Sequence, residues 1–323
     1  MEQNRKTALV TGGAGFIGSH LCKALVEKGY NVICVDNLLT GNKRNIAPLV
    51  DNERFTFIQK DILVSDFASQ LADRISDVGV THIFHLASPA SPVQYQDHPI
   101  ETIQVNTQGT YTMLQLARKL PARFLCASTS EVYGNPGEHP QKESYWGNVN
   151  SFGARSCYDE SKRCGEAYVY TFLTKFNVDA RIVRIFNTYG PNMEKDDGRV
   201  VSNFINQAIR DKPITVYGDG SQTRSFCYVS DLVDGIIRAM ETDVRGEVIN
   251  LGNPDERSVK DIAQLIQHMT GSRSSIVTQD LPVDDPTRRQ PDISKARTLL
   301  GWEPKVGLDE GLKKTIEYFR KAE

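Results

Sequence analysis

A glycine-spaced turn near the amino end constrains this chain more than any other feature. Gly12-Gly13-Ala14-Gly15-Phe16-Ile17-Gly18 follows the apolar run Thr7-Ala8-Leu9-Val10 and opens a helical pattern over 17–28. Glycines at 12, 15 and 18 let the backbone pass sharply from a buried strand into a helix. Further short apolar runs lie at 31–35, 55–59, 82–86, 123–127 and 180–185. Helical patterns separate them, including a long amphipathic one at 101–119 and another beginning near Cys157. This alternation predicts an α/β fold: a Rossmann-type, doubly wound parallel sheet with helices on both faces. After about residue 190 the texture changes, with Gly190-Pro191, Asp196-Asp197-Gly198 and Tyr217-Gly218-Asp219-Gly220. We therefore read a Rossmann domain over 1–190 and a smaller, loop-rich C-terminal lobe over 191–323. No flexible linker separates them, so they pack as one unit between whose parts the chain can cross back, and the cleft is the expected site.

The second predicted strand ends in Asp36, where a carboxylate can accept hydrogen bonds from ribose hydroxyls. Strand, glycine turn, helix and acid then stand in the register of a dinucleotide site, with a pyrophosphate at the helix N-terminus. Asp36 repels a 2′-phosphate, and Asn37-Leu38-Leu39 bring no cation, so NAD is expected over NADP. Lys43 and Arg44 could reverse that preference only if their loop folded back onto the site.

Charge excludes several classes of function. Lys and Arg total 38 against 40 Asp and Glu, a net charge of -2. Such a balance gives no electrostatic footprint for nucleic acid or an anionic membrane. Apolar runs are too short and interrupted to span a bilayer, and the first residues do not read as a secretory signal. The six cysteines form no CxxC pair, so reduced thiols and a cytoplasmic location are expected. His82 and His85 point to opposite faces of their strand, and no metal site is expected.

Tyr158-Asp159-Glu160-Ser161-Lys162 places a phenol and an ammonium on one helix face. A nearby ammonium favours a phenolate able to take a proton from a sugar hydroxyl. Ser128-Thr129-Ser130-Glu131 falls at the end of the fifth strand, where open α/β sheets bind ligands. Together these residues form a candidate hydride-transfer set behind a dinucleotide fold.

With these motifs in place, the chain resembles the extended short-chain dehydrogenase/reductases that act on nucleotide sugars, and among them most closely the UDP-glucuronate decarboxylases. Matching stretches run from residue 8 to about 319 and include 10–20, 85–92, 127–134, 144–150, 155–162, 184–191, 197–204, 216–232 and 289–293. The resemblance implies NAD held by Gly12, Gly15, Phe16, Ile17, Gly18, Asp36, Asn37, Asp61, Ile62, Leu86, Ala87, Ser88 and Asn106, with Tyr158 and Lys162 facing its reactive end. It implies that Tyr158, with Thr129 and Lys162, oxidises the C4 hydroxyl of a UDP-sugar. Ser130, Glu131 and Arg289 would then assist loss of carbon dioxide and reprotonation at C5. Pro89, Glu131, Asn187, Arg199, Val200, Tyr217, Arg224 and Arg289 are the implied substrate contacts.

Ser130-Glu131 separates this chain from its relatives. Dehydratases of the group carry Asp-Glu there and epimerases usually lack the second acid. Three stretches differ from the decarboxylase pattern: a longer 61–80 segment that reads as an additional helix, Ser151-Phe152-Gly153-Ala154, and Cys164-Gly165-Glu166. The alternative readings are another UDP-sugar oxidoreductase of this scaffold and a catalytically silent NAD-sensing regulator. The former could be a 4,6-dehydratase, an epimerase, or a C4 oxidase of a UDP-N-acetylhexosamine or its 5,6-ene. A homodimer is also implied, its helices at about 101–119 and 157–174 pairing as a four-helix bundle, though their apolar stripes could equally face the sheet.

Overall fold

The computed structural model describes residues 6–67, 69, 71, 79–281 and 283–321. Seven parallel strands form the central sheet: β1 (Thr7–Thr11), β2 (Asn31–Asp36), β3 (Phe55–Gln59), β4 (Val80–His85), β5 (Arg123–Thr129), β6 (Ala180–Ile185) and a seventh, Val248–Leu251. Their spatial order is the seventh strand, β6, β5, β4, β1, β2, β3, so the winding reverses between β1 and β4. Ligands of open α/β sheets bind at such a reversal, beyond the carboxyl ends of the strands. β1 is buried at every residue, as expected of a central strand covered on both faces.

Each sheet face has its own apolar layer. On one face, Leu21 and Leu25 of helix α1 (Phe16–Glu27) pack with Ile236 and Met240 of the helix Val229–Glu241. On the other, Met113, Leu114, Val169 and Phe172 cover Leu9, Ile83 and Phe124. The predicted helix at 101–119 is a longer composite. It starts at Pro99, where a missing N–H costs nothing, and runs through Pro99–Gln104, a π-helical stretch Val105–Gly109 and Thr110–Lys119. The additional helix expected within 61–80 lies largely outside the described residues.

The seventh strand comes from the second half of the chain and pairs with β6, Val248 beside Ile182 and Leu251 beside Ile185. The sheet is thus completed by the segment that also builds the smaller lobe. Among the described residues, the strands of that lobe itself are short. Among them, Thr223–Ser225 pairs in parallel with Arg288–Arg289, which sets Arg224 directly beside Arg289. No helix of the described residues is long and apolar enough to cross a membrane.

Candidate active site

A cavity of about 520 Å³ opens at the reversal point, between the carboxyl ends of the strands and the smaller lobe. Backbone shape governs its cofactor end. Gly12 has φ 72°, and a Cβ there would lie 2.8 Å from Ala87 Cα. A Cβ on Gly18 would lie 2.1 Å from the Gly12 carbonyl oxygen. Helix α1 starts at Gly15 with no acidic residue in its first turn, so its positive end is uncompensated toward the cavity. Asp36 is buried at the end of β2, accepting from Ala14 N at 3.0 Å and Leu38 N at 2.8 Å. Burial raises its pKa and these two backbone donors oppose the rise. A glycine cradle, a bare helix N-terminus and a fixed carboxylate fit a dinucleotide without a 2′-phosphate. Lys43 and Arg44 are exposed and do not line the cavity, so the loop does not fold them back.

At the other end, the helix Ser156–Phe176 presents Tyr158 and Lys162. Lys162 Nζ lies 5.8 Å from the Tyr158 ring centre and donates to Ala127 O at 2.9 Å. Burial lowers the Lys162 pKa to about 8, against the pull of Cys126 and Glu166. Tyr158 differs from the sequence expectation. Its burial outweighs the hydrogen bond with Thr129, and the phenol is pushed up rather than down. The isolated protein therefore holds Tyr158 as a protonated phenol. Its ring stacks on Tyr95, centres 4.9 Å apart and planes within 8°.

Beyond the tyrosine the wall is charged. Glu131 follows β5 in a short 3-10 turn capped by Thr129, whose Oγ1 accepts from Glu131 N at 3.2 Å. Glu131 Oε2 accepts from Arg155 Nη2 and, at 3.1 Å, from Arg289 Nη2. Burial alone would raise this carboxyl, but Arg289, Arg155 and Arg224 hold it down at about 2. Asp285 bridges Arg224 Nη2 at 2.9 Å and Arg155 Nη1 at 3.4 Å. The like charges of neighbouring Arg224 and Arg289 are thereby tolerated in a buried wall.

Every residue predicted for the site lines this cavity except Asn106. Asn106 sits in the π-helical stretch, donates to Ser161 Oγ at 2.9 Å and faces the helix that carries Tyr158. Its buried amide ties two helices together away from the cavity wall. Arg155, Tyr95 and Asp285 were not singled out from sequence. Arg155 stands one turn before Tyr158 on the same helix face, a spacing that could have revealed it. Nothing local distinguishes Tyr95 or Asp285. Cys157 is half-buried and Cys164 exposed. No group of three metal-ligating side chains occurs among the described residues.

A parallel sheet with a glycine cradle and a buried Tyr-Lys pair at its reversal point defines an NAD-dependent enzyme of the extended short-chain dehydrogenase/reductase class. The chain belongs to the NAD dependent epimerase/dehydratase family, whose model matches residues 8–252. It is 51% identical over 320 residues to UDP-glucuronic acid decarboxylase 1 of Xenopus tropicalis, covering 99% of this chain and 73% of the relative. It is 50% identical over 319 residues to UDP-glucuronic acid decarboxylase 6 of Arabidopsis thaliana, covering 98% and 90%. Among solved structures, a UDP-glucose 4-epimerase of Thermotoga maritima with UDP-glucose superposes with a TM-score of 0.90 at 32% identity, covering 98% and 99%. A UDP-glucuronic acid 4-epimerase of Bacillus cereus, in complex with UDP-glucuronic acid and NAD, gives 0.88 at 32% identity, covering 98% and 100%.

Proposed function

We propose that this chain is a UDP-glucuronate decarboxylase, an NAD-dependent carboxy-lyase that forms UDP-xylose. The observation that carries this reading is the 51% identity over 320 residues to a decarboxylase. The site chemistry agrees with it. Glu131 is present, whereas the preceding position carries Ser130 and offers no acid to expel a hydroxyl.

NAD, when bound, supplies reversible two-electron redox at sugar C4. Tyr158 would first give up its phenolic proton to solvent, a loss that the positive charge of bound NAD and the buried Lys162 ammonium would favour; its phenolate Oη would then take the proton of the C4 hydroxyl as C4 becomes a ketone, steadied by Thr129. That ketone is β to the C5 carboxylate, so the bond from C5 to the carboxyl carbon can break. Carbon dioxide leaves, and its electron pair enters an enolate whose oxygen faces Tyr158. C5 then takes a proton from water, and as C4 is re-reduced Tyr158 returns its proton to the C4 oxygen. Arg289 and Arg155 keep Glu131 ionised beside C5, where it orients the ring. Asn187, Arg199, Val200, Tyr217 and Arg224 line the cavity and would hold the nucleotide, the arginine fork of Arg224 suiting a diphosphate.

Purified protein incubated with UDP-glucuronate should yield a product lighter by the mass of carbon dioxide, without net consumption of NAD. An unchanged mass with altered C4 stereochemistry would replace this reading by that of a 4-epimerase, the activity named for two of the superposed structures. We also propose a cytoplasmic homodimer. Six free cysteines fit a reducing compartment, and exposed Ile100, Ile103, Tyr170 and Phe176 on the expected bundle helices offer an apolar face. Sedimentation and cell fractionation test these two points.

A further inference from the structure

Three guanidiniums and three carboxylates meet at the sugar end of the cavity. Arg155, Arg224 and Arg289 face Glu131, Asp285 and Asp159. If all six are ionised the charges cancel, and nothing in this wall favours a sugar carrying a carboxylate over a neutral one. One of the acids must carry a proton for the wall to be cationic. Hydrogen bonding identifies which. Glu131 accepts from two arginines, and Asp285 likewise accepts from two. Asp159 accepts from no described residue: Oδ1 is buried without a partner, and Oδ2 stands 3.9 Å from Arg155 Nε, beyond hydrogen-bond reach. A carboxylate that is buried and unsupported is the one that protonates.

We infer that Asp159 is a positioning residue for the sugar carboxylate, acting through Arg155. Protonated, it leaves Arg155 and the wall with one uncompensated positive charge for that carboxylate. Ionised, it claims Arg155 from behind and the selectivity for an acidic sugar falls. Asp159 does not line the cavity; Arg155 stands between them and does. The groups around Asp159 are Arg155, Cys157, Tyr158 and Glu160 of its own helix segment, Glu131 after β5, Tyr95 of the helix Pro92–Asp97, and Arg289 of the smaller lobe. Burial, then the Glu131 charge, raise its pKa to about 7, while Arg155 and Arg289 oppose. Its proton is therefore lost as pH rises through neutrality.

This inference rests on the proposed decarboxylase reading, and the test separates the two. Calorimetry on the NAD-loaded Tyr158→Phe protein, in which ligand is not consumed, measures the Kd of UDP-glucuronate and of UDP-glucose from pH 6 to 8.5. UDP-glucuronate should weaken roughly tenfold across this range and UDP-glucose should not, following the loss of one proton near neutrality. Adding Asp159→Asn should abolish the difference, and adding Asp159→Glu should restore it with a displaced midpoint. The same pH dependence in the Asp159→Asn protein overturns the inference. If that protein does not fold, an unmoved midpoint in the Asp159→Glu protein overturns it. Carbon dioxide release by the wild-type protein is assayed in parallel. Its absence defeats the decarboxylase reading, whereas a pH-independent Kd ratio defeats only the role of Asp159.

Discussion

The two ends of the cavity are built on different physical terms. At the cofactor end the chain supplies shape: glycines where a Cβ would collide with backbone, a bare helix N-terminus, and one carboxylate fixed by two backbone N–H groups. At the sugar end it supplies charge, with Arg155, Arg224 and Arg289 pairing with Glu131 and Asp285 from separate stretches of chain. A cradle made of backbone is sensitive to added atoms and indifferent to pH. A wall made of ion pairs tolerates small changes of shape, but removing one partner strands the others in a buried setting. Substitutions at the two ends should therefore fail in different ways.

The largest effect belongs where the ends meet. On the proposed function, Tyr158→Phe removes the phenolic oxygen that takes the C4 proton and should lower kcat roughly 10³-fold. Bound NAD, released by denaturation and read by its absorbance, should stay near the wild-type amount. Coincident loss of cofactor would show that the two ends are one structural unit. Glu131→Ala should come next, with roughly 10²-fold lower turnover. It also leaves Arg155 and Arg289 facing each other. Arg289 Nη1 already lacks a partner, so the folded state should lose about 3–5 kcal/mol in urea unfolding. Glu131→Gln, which keeps the shape and some of the hydrogen bonding, should recover part of the stability and little of the turnover. Equal stability for the two variants would mean that charge does not hold this wall.

The contrast between the ends also explains what could be read in advance. The cofactor end is contiguous: a strand, its glycines and α1 occupy one short stretch, and Asp36 closes the next strand. Spacing alone placed these residues, because local sterics leave few alternatives. The sugar end depends on tertiary pairing. Arg224 and Arg289 become neighbours only because two short strands pair in the smaller lobe. Their roles came from family resemblance, while Arg155, Tyr95 and Asp285 carried no local mark. Asn106, too, came from the resemblance, and it is the one such residue that does not line the cavity. It lies in a π-helical stretch and its amide donates to Ser161. The Tyr158 pKa was misjudged because sequence shows a lysine one turn away but cannot show the burial of the phenol, which is the largest influence on it. The seventh strand, taken from the second half, likewise cannot be seen in a local run of residues.

Gly18→Ala probes the shape-based end alone. Its Cβ would lie 2.1 Å from the Gly12 carbonyl oxygen and 2.8 Å from Gly13 Cα, so the turn must open. NAD affinity should fall roughly tenfold or more, about 1.4 kcal/mol or above, by fluorescence titration. UDP affinity should hold, since Arg224 and its partners do not touch this turn. Weaker UDP binding in the same variant would erase the distinction between the ends.

The smallest effect tests the one place where the cofactor end uses charge. Asp36→Ala removes the carboxylate that excludes a 2′-phosphate, together with the hydrogen bonds it can offer ribose hydroxyls. The ratio of NADP to NAD affinity should rise by roughly tenfold, most of it through weaker NAD. It should not invert. Among the described residues, no cation lines this part of the cavity besides Lys60, and Lys43 and Arg44 are exposed outside it, so little there rewards the extra phosphate. Asp36 also accepts from Ala14 N and Leu38 N, and its loss frees the backbone on both sides of the cradle. Shape and charge can be divided by comparing Asp36→Asn, whose amide oxygen can keep one of those bonds. If Asp36→Asn binds NAD as well as the wild type and still excludes NADP, the exclusion is steric, and this end of the cavity uses shape alone.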